Sequence, residues 1–151
     1  MPAASYNINA EQGASFTLYL EYQTSGGTAI DLAAYDSRMQ IRPSTTSSNV
    51  ILDLIGTTAS ASVTGGGSTG FYTPGSTGGQ SAGIAGSGGI TLNASSAGAT
   101  GTTGGIYIAV DATSMANALS GEHRYDLELV DGTTVTRLVE GEFKIQSEVT
   151  R

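Results

Sequence analysis

No stretch of this chain restricts its fold as much as Glu122 to Ile145, which reads EHRYDLELVDGTTVTRLVEGEFKI. Apolar residues fall on Tyr125, Leu127 and Leu129, then on Val135, Val139, Phe143 and Ile145, a period of two along both arms. Asp131-Gly132 marks a turn between them, so the stretch predicts a β-hairpin. A three-residue loop, Val130-Asp131-Gly132, with Gly132 left-handed, sets Leu127 opposite Val135 and Tyr125 opposite Arg137 and unites the apolar rows. A two-residue Asp131-Gly132 loop sets Leu127 opposite Thr136 instead. The first register is favoured, because a slip of one residue sends an apolar row to solvent. Arg137 is then the one charged member of the inward row, its guanidinium expected across Tyr125 with the head at the sheet margin.

The remaining segments extend the same pattern. Tyr6-Asn7-Ile8 predicts a short strand, and Ala14 to Tyr22 alternates Phe16, Leu18, Leu20 and Tyr22 against Thr17, Tyr19 and Glu21. Ser37 to Arg42 alternates Met39 and Ile41 against Arg38, Gln40 and Arg42, and Pro43 ends it, since proline cannot donate to a ladder. Val50 to Ile55 follows, with Val50, Leu52 and Leu54 inward and Asp53 outward. Gly89 to Leu92 and Ile106 to Val110 are further strands. Asp111 to Leu119 is the single helix expected, capped by Thr113 or Ser114, with Met115 and Leu119 on one face and Gly121 beyond its end. At 151 residues this is one domain, 1–151. The expected architecture is all-β, an antiparallel Ig-like β-sandwich with one short helix. Phe16, Leu18, Leu20, Met39, Ile41, Leu52, Ile108, Leu127, Leu129 and Phe143 are its expected core.

A Gly/Ser/Thr-rich insertion, about 56–105, interrupts this pattern. It holds sixteen of the 22 glycines, and no charged residue occurs between Asp53 and Asp111. Two readings are open: a flexible linker, because glycine-rich chain loses the most backbone entropy on ordering, or a loop that orders against a neighbouring subunit. Phe71, Tyr72, Ile84 and Ile90 are the apolar anchors it would offer, and these four are the candidate partner-interface residues. On the second reading the free monomer orders the segment at most partly, because a few large side chains return less than some fifty residues lose.

Composition and motif spacing narrow the chemistry. Charged residues make up 13% of the chain and the formal net charge is −7, with Arg38, Arg42, Arg124, Arg137 and Arg151 on separate segments. No basic stripe is expected, and nucleic acid is not an expected partner. Cysteine is absent, which excludes disulfides and thiolate metal sites. MPAASYNINAEQ has neither a positive n-region nor an apolar h-region, and nowhere do 18 apolar residues run together. Neither a secretory leader nor a membrane partner is therefore predicted. His123 is the sole histidine, so no histidine cluster can hold a metal. Asp126 and Glu128 share a strand face and are expected to be solvated rather than a general acid and base. Gly65-Gly66-Gly67 and Gly86-Ser87-Gly88-Gly89 lack the following G-K-S/T of a phosphate loop. No catalytic residue, metal or cofactor is predicted, and the chain is expected to be a non-enzyme.

Seven strings, in order, carry a resemblance: Glu11-Gln12-Gly13 before an alternating strand, Ile30-Asp31-Leu32, Arg38-Met39-Gln40-Ile41-Arg42, Gly89-Ile90-Thr91-Leu92, Gly121 followed by Tyr125-Asp126-Leu127-Glu128-Leu129, Val135 to Gly141, and Glu148 to Arg151. Across most of its length the chain resembles a β-sandwich module of virion structural proteins of tailed phages, cyanophages especially, associated with long tail fibres. The resemblance implies a bacteriophage virion structural protein, a tail, baseplate or neck adaptor that seats tail fibres. Its partners would be other virion proteins and copies of itself, in a homo-oligomer assembled in the host cytoplasm and located in the virion. Two alternatives stay open: a capsid decoration (cement) protein, and a glycan-binding β-sandwich for host recognition, for which Tyr19 and Tyr107 are the aromatic candidates.

Overall fold

The computed structural model describes residues 2–72 and 80–149, with 65–72 and 80–85 described as backbone only. The strands are β1 (Ala4–Ser5), β2 (Ile8–Glu11), β3 (Phe16–Glu21), β4 (Asp36–Arg42), β5 (Leu52–Gly56), β6 (Ala61–Tyr72), β7 (Gln80–Gly86), β8 (Gly88–Leu92), β9 (Gly105–Val110), β10 (Gly121–Asp131) and β11 (Thr134–Gln146). The helix α1 (Ala112–Ala116) lies between β9 and β10. The large sheet runs β1-β11-β10-β4-β5-β6-β7, with β2 also on β11, and the small sheet runs β3-β9-β8. The expected all-β sandwich with one short helix is what forms. Pairing is antiparallel except where β1 and β2 lie parallel to β11.

Alternation within each strand supplies the core. Met39 and Ile41 of β4, Leu52 and Leu54 of β5, Leu127 and Leu129 of β10, and Phe143 and Ile145 of β11 are buried from the large sheet. Ile90 and Leu92 of β8 and Ile106, Ile108 and Val110 of β9 meet them from the small one. Phe16, Leu18 and Leu20, expected as full core, are only partly buried, because β3 is an edge strand. Phe143 gathers the aromatic side chains, with Phe16 at 5.4 Å and Tyr125 at 6.0 Å, both edge-on. The cap of α1 is Asp111, not Thr113 or Ser114: its carboxylate accepts from the Ser114 backbone N–H (3.3 Å) and hydroxyl (2.6 Å). It also accepts from the Ser87 N–H (3.0 Å), which ties the helix start to the β7–β8 connection.

The β10–β11 hairpin forms, but in neither expected register. Asp131 pairs with Thr134, leaving Gly132-Thr133 as a two-residue loop with Gly132 at φ 59° in its first position, as a type II′ turn requires. Val135 therefore faces Val130, and Thr136 faces Leu129. A bulge then restores the inward row, since Leu127 pairs with Val139 and Glu128 with Arg137, leaving Leu138 as the extra residue. Two expectations fail for this reason. Val135 is 56% exposed rather than core, and Arg137 stands on the outer face instead of across Tyr125.

Much of the Gly-rich insertion is fold rather than linker. Val63, Ile90, Leu92 and Ala94 are buried, and β8 is a full member of the small sheet. Asn93, at φ 51°, holds the segment beyond β8. Its Oδ1 accepts from the N–H groups of Leu32 and Gly104 (3.0 Å each), and its Nδ2 donates to Asp31 (2.7 Å). Its carbonyl accepts from Gly101 and Thr102. The glycines have a packing reason where the sheets converge, because a Cβ on Gly56 would overlap the carbonyl of Ile90 and one on Gly89 the backbone of Ser62.

Candidate functional site

The outer face of the large sheet carries the polar halves of the same alternating strands, and their register sorts these residues into rows. Arg38 of β4, Glu128 of β10 and Arg137 of β11 lie in one row. Gln40, Asp126 and Glu140 form the next, flanked by Asp53 of β5 and Ser5 of β1. Arg42, Arg124 and Glu142 form the third. Four of the five arginines thus share a face that no contiguous segment of sequence displays. They gather because β4 and β10 are adjacent in the sheet and far apart in the chain, and Asp126, Glu128, Glu140 and Glu142 lie among them in the same rows.

Arg137 organises the first two rows. Its guanidinium reaches Asp126 at 3.2 Å, Glu128 at 3.4 Å and Glu140 at 3.2 Å, and Arg38 reaches Glu128 at 3.1 Å from the other side. Glu128 keeps only 13% side-chain exposure between two arginines. Partial burial raises the Asp126 carboxyl above its ordinary range, with Arg137 pulling the other way, and Asp126 in turn raises the Arg137 guanidinium. The third row is not compensated in this manner. Arg42 and Arg124 are directly opposite one another. Nε and Nη2 of Arg42 donate to Gln40 Oε1 (3.2 and 2.7 Å), and Nη1 donates to the Ser47 carbonyl (3.0 Å). Among the described residues the Arg124 guanidinium has no hydrogen-bond or ion-pair partner. The four arginines, Gln40, Asp126, Glu128 and Glu140 line a cleft of about 760 Å³ whose rim includes Ser5, Asn7, Ser44 and Thr45. Beside it lies a second, more apolar groove with Ile55 (48% exposed), Val130 and Val135.

The four residues expected to meet a partner are not brought together. Ile90 is fully buried between the sheets, so it is a core residue and not an interface anchor. It is buried because β8, inside the charge-free segment, is a structural strand. Phe71 pairs in register with Ser81, Tyr72 with Gln80 and Ile84 with Gly65, while their side chains lie outside what is described. Tyr19 and Tyr107 do meet, as opposite residues on the outer face of the small sheet. The Tyr19 hydroxyl donates to Glu21 (3.3 Å), and Gly98 lies so close to the Tyr107 ring that a Cβ there would stand 2.8 Å from it. His123 is buried: its Nε2 donates to the Leu119 carbonyl (2.7 Å), its Nδ1 has no partner, and burial lowers its pKa. Among the described residues no group of three or more His, Asp or Glu could hold a metal ion.

No family model matches the chain, and no curated protein matches it. Among solved structures, the chain is similar to one described as "Structure-based site-directed photo-crosslinking analyses of multimeric cell-adhesive interactions of VGSC beta subunits". Identity is 14% over 97% of this chain and 93% of that one, with a TM-score of 0.42. A likeness at that level carries no functional weight.

Proposed function

We propose that the chain is a non-enzymatic structural protein of a tailed-phage particle, an adaptor of tail, baseplate or neck that seats fibres by joining other virion proteins and copies of itself. The β6–β7 ribbon is the observation that carries this reading. β5 pairs with β6 only as far as Gly65, whereas β6 and β7 stay paired out to Tyr72 and Gln80. The ribbon therefore outruns the strand beneath it. β7 is the last strand of the large sheet, and its sequence QSAGIAG has neither the charge nor the proline that commonly protects an edge. An edge of that kind accepts an added strand, and small side chains let a second backbone come close. Many copies fixed in one particle would raise the local concentration and favour the contact.

The resemblance in Glu11-Gln12-Gly13, Arg38 to Arg42, Tyr125 to Leu129 and Val135 to Gly141 supports a virion setting. The non-enzymatic part is supported by the engagement of the reactive groups: His123 is buried against Leu119, and Asp126 and Glu128 are held by Arg137 and Arg38. Mass spectrometry of purified particles tests the reading, which expects the chain in stoichiometric copies; its absence from particles would overturn it. A variant with residues 66–83 replaced by an Asn-Gly turn should keep the monomer's melting temperature and fail to enter particles. Normal incorporation of that variant would remove the ribbon from the contact.

A further inference from the structure

We propose that the outer-face cleft over β4, β10 and β11 binds an acidic saccharide, its anionic group held between Arg42 and Arg124 and its hydroxyls accepted by Asp126 and Glu140. Opposite residues on neighbouring strands place their Cβ atoms about 4.5–5.5 Å apart, and like charges in that position repel. Arg42 and Arg124 occupy such a position. A guanidinium has five N–H donors. Arg42 commits donors to Gln40 and Ser47, which fix its plane and still leave N–H groups open, while Arg124 commits none among the described residues. A rigid fork beside a free one is suited to a carboxylate or sulfate group, which takes two parallel N–H bonds.

The rest of the lining selects the class of ligand. Four arginines and three carboxylates line the cleft, and Glu142 stands opposite Arg124 in the third row, so the positive character is local to Arg42 and Arg124 rather than spread over the face. A bare phosphate or sulfate would meet Arg42 and Arg124 but be repelled by Asp126 and Glu140 one row away. A ligand carrying both an anion and hydroxyl donors satisfies both rows, and Ser5, Asn7, Ser44 and Thr45 add donors and acceptors around it. Acidic sugars have this combination. The cleft faces away from the Tyr19–Tyr107 pair, which belongs to the other sheet.

Nuclear magnetic resonance titration of the full chain with an oligogalacturonate, a neutral oligoglucoside and sodium sulfate tests the assignment. The oligogalacturonate should shift the amides of Gln40, Arg42, Arg124 and Asp126, with affinity falling as salt is added, and the other two should not bind. Arg124→Gln should weaken binding about tenfold or more. It should melt with the parent protein, since the side chain supports no contact in the fold, so loss of binding cannot be assigned to unfolding. Sulfate bound as tightly as the oligosaccharide would reduce the cleft to a simple anion site and overturn the proposal. So would equal binding of the neutral sugar, or affinity unchanged in Arg124→Gln.

Discussion

Substituting Gly56 by alanine should destabilise this sandwich markedly. Gly56 ends β5, where its backbone lies against that of β8, and its φ is not in the left-handed region. The requirement is therefore space rather than backbone conformation. A Cβ there overlaps the Ile90 carbonyl and stands 3.1 Å from its Cα, and the obstructing atoms are main chain, so no side-chain rotation relieves the clash. The sheets must part at a point where Leu92 N–H donates to the Thr57 carbonyl (3.1 Å) and the buried Ser37 hydroxyl donates to the Gly56 carbonyl (2.7 Å). Overpacking costs about 1–3 kcal/mol, and straining one such hydrogen bond adds about 0.5–1.5 kcal/mol. The expected loss is roughly 2–4 kcal/mol, or about 4–16 °C in melting temperature at 2–4 °C per kcal/mol for a chain of this size. Gly132→Ala is the control: Gly132 sits at φ 59° with nothing within 4 Å of the added carbon, so only the left-handed backbone penalty of about 1–2 kcal/mol applies. Thermal and urea denaturation followed by circular dichroism read both variants. A Gly56→Ala melting temperature within about 2 °C of the parent, or above that of Gly132→Ala, would refute the close approach of β5 and β8.

The hairpin register is tested by a pair of truncations: Leu127→Ala should cost about 2–5 kcal/mol and Val135→Ala under about 0.5 kcal/mol in urea denaturation, whereas comparable losses would return Val135 to the core. Tyr125 is held up to about 12 by burial, its hydroxyl donating to the Tyr6 carbonyl (2.7 Å). The folded state keeps that proton more tightly than the unfolded chain does, so its stabilisation is complete below about pH 10 and is lost as pH rises towards 12. Tyr125→Phe should remove that alkaline step from a stability-versus-pH curve. His123 has the opposite sign in its lowered pKa: its contribution is complete above about pH 6.5 and falls as the pH drops through the folded value. Protonation would add a buried Nδ1–H with no acceptor, and His123→Gln should flatten the curve in that range.

What the sequence made legible was each strand taken singly. Period two marked β3, β4, β5, β9, β10 and β11, and it separated Met39 and Ile41 from Arg38, Gln40 and Arg42 because one face of each strand had to be apolar. What it could not show was any relation that depends on pairing between distant segments. The Arg42–Arg124 opposition needs β4 beside β10, which follows from no turn; Gly89 to Leu92 reads as a strand, but the burial of Ile90 between the sheets follows only from where that strand packs. The hairpin register turns on a single extra residue. Val135, Arg137, Val139, Phe143 and Ile145 share parity, and an unbroken strand would put them on one side. The II′ loop at Gly132-Thr133 brings Val135 out beside Val130, and only the extra residue at Leu138 brings Val139 back in opposite Leu127. The bulge is thus what lets one strand serve two purposes. It keeps Phe143 and Ile145 in the core while placing Arg137 on the outer face within reach of Asp126, Glu128 and Glu140. A strand without it would either bury Arg137 along with Val135 or turn Phe143 and Ile145 outward, and burying an unpaired guanidinium is far costlier than interrupting one ladder position.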